Sequence, residues 1–355
     1  MVQNIRKRVL VWTPEYRCRG EVAGQALVTS KVIDLLNVEP QFVLVTSSNR
    51  FGGIFHWLYA VVRLFVMLIG KGPNEIVYVV ASRSSLGFLR DLPAYILGLF
   101  RSRVVVHIHG SDIINLLDNR FFGKVAGFIL SRCELICPSS HLLKPLQDRN
   151  ISAVNVIENF YNGPVYEPSS TKKKTSIIWS SNITRSKNFL EVAYVIENLL
   201  EQDYGIQFII LGKIIDSSIE SEVKEVFRRL GSYPESVRNI GVVPHSDALK
   251  YLQESDIVIL PSDNECQPLT LIEAMCNGKS IIASSIPAIK STLMDYPSFY
   301  VDIPVTMESV AREIENAINH EVGLDLDLLM SIRRRFSLNL FEEKLKEVFG
   351  RDKYL

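Results

Sequence analysis

The chain has 355 residues with 47% hydrophobic and 22% charged content, the proportions of an ordinary globular protein long enough for two cores. Its 39 Lys and Arg balance 39 Asp and Glu, so nothing in the overall charge calls for nucleic acid as a partner. The balance is uneven, because residues 1–165 hold 18 Lys and Arg against 11 acids (+7) and residues 166–355 hold 21 against 28 (−7). The imbalance points either to two domains with different clients, the first anionic (a lipid or a phosphorylated acceptor), or to a chance spread of surface charge.

The N-terminal stretch MVQNIRKRVLVWTPEY has too short an apolar run for a signal peptide, and its basic triplet precedes the first strand. β-branched runs then alternate with helical patterns. Strands are expected at 9–12, 42–46, 76–80, 104–109, 135–137 and 154–157, and again at 176–180, 207–211, 237–242, 257–260, 280–283 and 299–301. Strands unbroken by polar residues belong to parallel sheets covered on both faces, which bind ligands at their carboxyl ends. The expected class is therefore α/β, with two Rossmann-like doubly wound domains. Boundaries are expected at 1–168 and 169–330, with 331–355 a helical segment packing back toward the first domain. The Gly-, Pro- and Ser-rich joint carries Lys172–Lys174, read as a solvated linker face. The five cysteines (Cys18, Cys133, Cys137, Cys266, Cys276) have no zinc or redox spacing and fit reduced, mostly buried thiols of a cytoplasmic protein.

Residues 54–72, IFHWLYAVVRLFVMLIGKG, are apolar for about 16 residues, short of the ~20 that span a bilayer, with Arg63 in the middle. Two readings stand: a helix packed into the core, or one partly inserted into a membrane surface.

Several loops sit at strand ends. The turn 18–24 follows the first strand, and Gly20 there permits close backbone approach to a phosphate or sugar, although an ordinary strand-to-helix turn explains it equally. VVVHIHGSD (104–112) puts His107 and His109 on one face; His109, next to Gly110, is placed to meet a substrate hydroxyl, and Asp112 to cap the next helix. SSNITRSKNF (180–189) brings Lys187 to a strand end, where it is either a solvent lysine or a ligand group. PSDNECQPLTLIEAMCNGKSIIAS (261–284) reads as loop, helix, glycine stop and strand, with Pro268 at the first helical position. The free N–H groups of Leu269, Thr270 and Leu271 make an anion site there, framed by Glu265 and Glu273. Asp325-Leu-Asp327 reads as a helix-start acidic pair and Arg333–Arg335 as helix-surface charge. No P-loop, nucleophile-elbow, zinc, kinase or hydride-cofactor pattern is present.

The Glu265-x7-Glu273 pair within PSxxExxPLxLIEAMxxGK resembles the signature of retaining glycosyltransferases of family 4, which have the GT-B fold of two domains facing each other across a cleft. The glycine turn, the His-Gly at a strand end, the lysine after the first strand of the second half and the closing Arg-Arg-Phe-Ser helix agree in order. SRSSLGFLRDL (82–92) and HIHGSD are similar to bacterial members that build cell-surface polysaccharide such as lipopolysaccharide or capsule.

The resemblance implies an acceptor domain followed by a nucleotide-sugar donor domain. It implies that Glu273 holds the ribose hydroxyls of a UDP- or GDP-sugar, that Glu265 meets donor-sugar hydroxyls, and that the N–H groups around Leu269 and Thr270, just after Pro268, bind the distal phosphate. Lys187 would neutralise the departing diphosphate, His109 would contact the sugar near the reaction centre, and Gly20 would let a loop close over phosphate. One position departs: Asn182 stands where many relatives have a phosphate-binding arginine, so either Arg185 replaces it or Lys187 and the helix suffice. The expected activity is sugar transfer (hexosyltransferase type) with retention to a hydroxyl acceptor, a glycan or lipid-linked glycan, without metal or other cofactor, and with peripheral contact to anionic membrane on its cytoplasmic face. The alternatives are a non-catalytic subunit of the same fold and a nucleotide-sugar epimerase.

Overall fold

A computed structural model describes residues 9–14, 24–36, 42–44, 50–69, 76–82, 84–164, 175–320 and 325–350. The expected strands all appear within them. The first unit holds β1 (Val9–Pro14), β2 (Phe42–Leu44), β3 (Ile76–Val80), β4 (Arg103–His107), β5 (Glu134–Cys137) and β6 (Val154–Val156). The second holds β7 (Thr175–Ser180), β8 (Ile206–Leu211), β9 (Val237–Gly241), β10 (Ile257–Leu260), β11 (Ser280–Ser284) and β12 (Phe299–Val301). β4 stops at His107 and β9 at Gly241, each shorter than the apolar pattern suggested. The loop with Cys18 and Gly20 and the Lys172–Lys174 linker lie outside the described residues.

Described residues up to Glu158, and those from Phe341 onward, form the first compact unit; Asn159 to Leu340 form the second. The division thus precedes the expected 168. Asn159 donates its backbone N–H to Gln267 Oε1 at 2.6 Å and its Nδ2 to Gln267 O at 2.9 Å, while Tyr161 N–H reaches Phe336 O at 2.8 Å. These bonds tie 159–161 into the second unit before the linker begins. The C-terminal stretch is two helices, Leu326–Arg335 and Leu338–Gly350, and in the second of these Val348 O accepts from Arg103 at the start of β4.

The first sheet has the order β2-β1-β3-β4-β5-β6, all parallel. The helices Arg50–Ile69, Ser85–Arg101 and Gly123–Leu130 carry the chain stepwise from β2 toward β5, so right-handed crossovers place all three on one face. Gly24–Leu36, which runs the other way from β1 to β2, takes the opposite face. The carboxyl ends of β1 and β3 are stitched by the fully buried Asp91. It accepts from Trp12 Nε1 (3.0 Å), Arg90 Nε (3.0 Å) and Ser82 N (3.2 Å), and also from the Ser82 hydroxyl. A buried carboxylate is tolerated only with such partners. Gly87 lets its helix lie against that corner, since a Cβ there would stand 2.4 Å from Ser82 Cβ.

The second sheet has the order β12-β11-β10-β7-β8-β9, again all parallel. Strand alternation sends Ile177, Trp179, Ile257 and Ile259 to one core under helices Phe189–Glu201 and Met307–Asn319. The neighbouring Ile178, Val258 and Leu260 go to the other core, under Leu269–Cys276 and Pro287–Leu293. Each buried aliphatic side chain contributes about 1.5–3 kcal/mol. Trp179 satisfies its indole N–H on Ser181 O at 2.8 Å, which fixes the first residues of the loop after β7.

Candidate active site

The strand order reverses between β7 and β10. From β7 the chain winds outward through β8 and β9; from β10 it winds the other way through β11 and β12. The segments leaving these two neighbouring strands therefore turn to opposite faces, and loops 181–188 and 261–268 flank the reversal. Open α/β sheets bind ligands at such a point.

The loop after β7 is built to hold Lys187 in place. Ile183 N–H bonds to Lys213 O at 2.8 Å, and Arg185–Lys187 form a short 3-10 turn. Asn188 ends the turn in the left-handed region (φ 57°), a conformation Asn tolerates better than most residues. Its Nδ2 donates to Pro261 O and Asp263 Oδ1, both at 2.8 Å, and Asp263 N–H donates to Ser186 O at 2.8 Å. The two loops are thus fastened to each other. Across the fastening Lys187 Nζ donates to Glu265 Oε1 at 2.5 Å, with the side chains 22% and 14% exposed.

Helix Leu269–Cys276 begins three residues beyond Cys266, and Pro268 takes the cap position in extended geometry (ψ 123°). This corrects the expectation that Pro268 is the first helical residue. The N–H of Leu271 is also not free, because it bonds to Pro268 O at 3.2 Å. Among the described residues the N–H groups of Leu269 and Thr270 have no partner, which leaves them open at the helix start, where an anion is favoured. Thr270 Oγ1 donates to Ser180 O at 2.9 Å, pinning the helix start to the end of β7.

At the other end of the helix the structure corrects another reading. Arg333 and Arg335 are not surface charge: Arg333 Nε donates to Cys276 O at 2.9 Å, and Arg335 donates to Thr292 O and Ser291 O at 3.0 and 3.1 Å. Each arginine occupies the carbonyl end of a helix, where a cation is favoured.

Glu273, in the second turn, is buried, and its Oε1 lies 2.6 Å from His245 Nε2. His245 opens the helix His245–Glu254, where the helix dipole opposes a positive charge. The carboxylate nevertheless raises the imidazole above its ordinary pKa, its hydrogen bond outweighing burial. Nothing in residue type or spacing pointed to this partner, and His245 was not anticipated.

The second unit therefore brings Lys187, Glu265, Pro268, Leu269, Thr270 and Glu273 around one strand-order reversal. Asn182 is half-buried, its Oδ1 accepting from Lys213 N at 3.5 Å, and Arg185 stands exposed on the same loop. The Arg185 backbone N–H bonds to Asp216 at 3.1 Å. The carboxyl of Asp216 is held below its ordinary range by the Ser218 hydroxyl first, then by backbone N–H groups, with a smaller contribution from the Arg185 charge.

His109 belongs to the first unit, just beyond β4. Its ring packs 4.1 Å from that of His107, and its Nε2 lies 3.5 Å from the buried Thr29 hydroxyl. His107 is a core residue, bonded through Nδ1 to Tyr78 OH at 2.7 Å, and burial pushes its imidazole well below the ordinary pKa. Ser111, not Asp112, occupies the following cap position, and Asp112 is the first-turn acid. Asp325 does cap its helix, accepting from Asp327 N at 3.2 Å. Cys133, Cys137, Cys266 and Cys276 are buried free thiols. Among the described residues no cluster of three or more His, Cys, Asp or Glu is placed to hold a metal ion, and no helix is long and apolar enough to cross a membrane.

Comparison with known proteins adds three findings. Residues 166–335 match the family model described as glycosyl transferases group 1. The chain is 24% identical over 203 residues (53% of its length, 48% of the relative's) to the amylovoran biosynthesis glycosyltransferase AmsK of Erwinia amylovora. It is 22% identical over 187 residues (48% and 42%) to the alpha-monoglucosyldiacylglycerol synthase of Streptococcus pneumoniae, so it spans less than half the length of either relative in these matches. Its fold is similar to the crystal structure of Anabaena HepE in complex with UDP, with TM-score 0.66, 13% identity, and coverage of 97% of this chain and 99% of that one. The likeness extends over both sheets, and the architecture is the two-domain GT-B fold.

Proposed function

From the glycosyl transferases group 1 domain that the chain carries, we propose that it is a retaining hexosyltransferase moving a sugar from a UDP- or GDP-sugar to a hydroxyl of a glycan, lipid-linked in the cell, during surface polysaccharide synthesis such as that of lipopolysaccharide or capsule. The observation that carries the reading is the Lys187 ammonium held against Glu265 at the strand-order reversal, in the loop pair that also presents the open N–H groups of Leu269 and Thr270. Cleavage of the bond between the anomeric carbon and the phosphate oxygen leaves negative charge on the diphosphate. Lys187 and the helix N-terminus stabilise that charge without a metal ion. Arg185 is the available substitute for the arginine that Asn182 displaces. Glu265 anchors Lys187 and meets sugar hydroxyls, while Glu273 takes the ribose hydroxyls. The acceptor oxygen bonds to the anomeric carbon on the face from which the diphosphate departs, and its proton passes to the departing phosphate oxygen.

UDP in the HepE structure supports a nucleoside diphosphate donor, and the two curated relatives support a glycan or glycolipid acceptor. The working place is the inner face of the cytoplasmic membrane, with the protein peripheral to it. The test is a thermal-shift screen of UDP- and GDP-sugars, followed by diphosphate release with and without a lipid-linked acceptor, in the presence of chelator. Release that requires acceptor and survives chelation is expected. Release without acceptor would instead mark an epimerase, and binding without release a non-catalytic subunit.

A further inference from the structure

The helix Arg50–Ile69 buries Ala60, Leu64 and Leu68 against its own unit, yet its outer side is apolar as well. Phe55 (70% exposed), Tyr59 (65%), Val62, Val66 and Ile69 recur at helical spacing along that side. A helix that faces water normally carries polar residues there. The next helix on the same face, Ser85–Arg101, packs against it and exposes Leu86 and Phe100, each 80%. The third, Gly123–Leu130, touches the second and exposes Val125 and Phe128, with Phe121 just ahead of it. Together these side chains open an apolar area on the order of 10³ Å², above the few hundred Å² usual for a monomer.

The charge around this face has one sign. Segments 50–69, 84–102 and 119–132 hold seven Lys or Arg and one acid, Asp91, which is buried beside Arg90. Arg63, Arg120, Lys124 and Arg132 are exposed, and Arg132 lays its guanidinium 3.5 Å over the Phe128 ring while donating to Phe128 O at 2.7 Å. A second copy meeting this face symmetrically would bring like charges together. We propose that the three-helix face docks on an anionic lipid bilayer, with the rings and aliphatic chains entering the headgroup boundary and the basic residues meeting lipid phosphate.

The test uses the full chain with no donor or acceptor, so its failure and a failure of the transfer reading are separable. Co-sedimentation is measured with phosphatidylcholine vesicles, with and without phosphatidylglycerol, at low and high salt. The wild-type chain should pellet with the anionic vesicles and be partly released by salt. A Phe55→Ser, Tyr59→Ser, Val62→Ser variant should lose about tenfold or more in partition. A second variant, Arg63→Glu with Lys124→Glu, should lose the preference for phosphatidylglycerol to a similar degree. All five positions are exposed, and melting curves check that the folds persist. Wild-type partition by both variants, or no difference between neutral and anionic vesicles, would overturn the proposal. So would a solution dimer that the first variant abolishes.

Discussion

Replacing Lys187 by alanine is the sharpest perturbation of the candidate site. Its ammonium has three donors and spends one on Glu265 at 2.5 Å, leaving two for an anion. At an effective dielectric of about 20 the pair attracts by roughly 6–7 kcal/mol before desolvation is subtracted, enough to hold the charge in place before donor arrives. Since no reorganisation is then required as the diphosphate leaves, kcat should fall by about 10²–10³, equivalent to about 2.7–4 kcal/mol of transition-state stabilisation. Lys187→Arg keeps the charge but enlarges and reshapes the head, so it should lie between the two. The assay is initial-rate diphosphate release at saturating donor and acceptor, with melting curves to show that the fastening between Asn188, Pro261 and Asp263 is intact. An undiminished kcat in a folded Lys187→Ala protein would refute the leaving-group role.

Glu273→Gln keeps the size of the side chain and a hydrogen bond to His245 but removes the charge, so it should raise the donor KM by about tenfold while changing kcat little; a kcat defect at unchanged KM would move Glu273 out of the ribose role. His245→Gln tests the linkage. Because the Glu273 carboxylate raises the folded-state pKa of His245, the pair's contribution is fully present below about pH 6.5, the unfolded value, and is lost as pH rises through the raised one. Denaturant titrations should therefore show wild type ahead of His245→Gln by about 1.5–3 kcal/mol on the acid side of that window, with the gap closing at alkaline pH. A gap independent of pH would mean that His245 acts through packing alone.

The strands were legible because each is a short unbroken apolar run, and parallel burial leaves little else in them. Strand ends were less so: the apolar Ile108 follows His107 without a break and its N–H still bonds to Ile136 O at 2.8 Å, yet the paired register ends at His107. Glu265 and Glu273 drew attention by their spacing around a helix start, whereas Lys187 read as an ordinary solvent lysine until the family resemblance singled it out. His245 and the Asn188–Asp263 fastening were not, because they join segments 28 and 75 residues apart, and only the sheet order brings these together. The roles of Arg333 and Arg335 were hidden for a similar reason, since the carbonyls they meet lie 57, 43 and 44 residues away. Helix 50–69 defeated periodicity for another reason, being apolar toward its own unit and apolar outward.

Arg333 also bears on how the proposed phosphate site is adjusted. It sits on the carbonyl end of the helix whose opposite end offers Leu269 and Thr270 to phosphate, roughly 12 Å away for eight residues. Exchanging that cation alters the field along the helix without altering any group that meets the sugar. On the proposed reading, a substitution at this remote position would tune how tightly phosphate is held and leave the sugar contacts as they are.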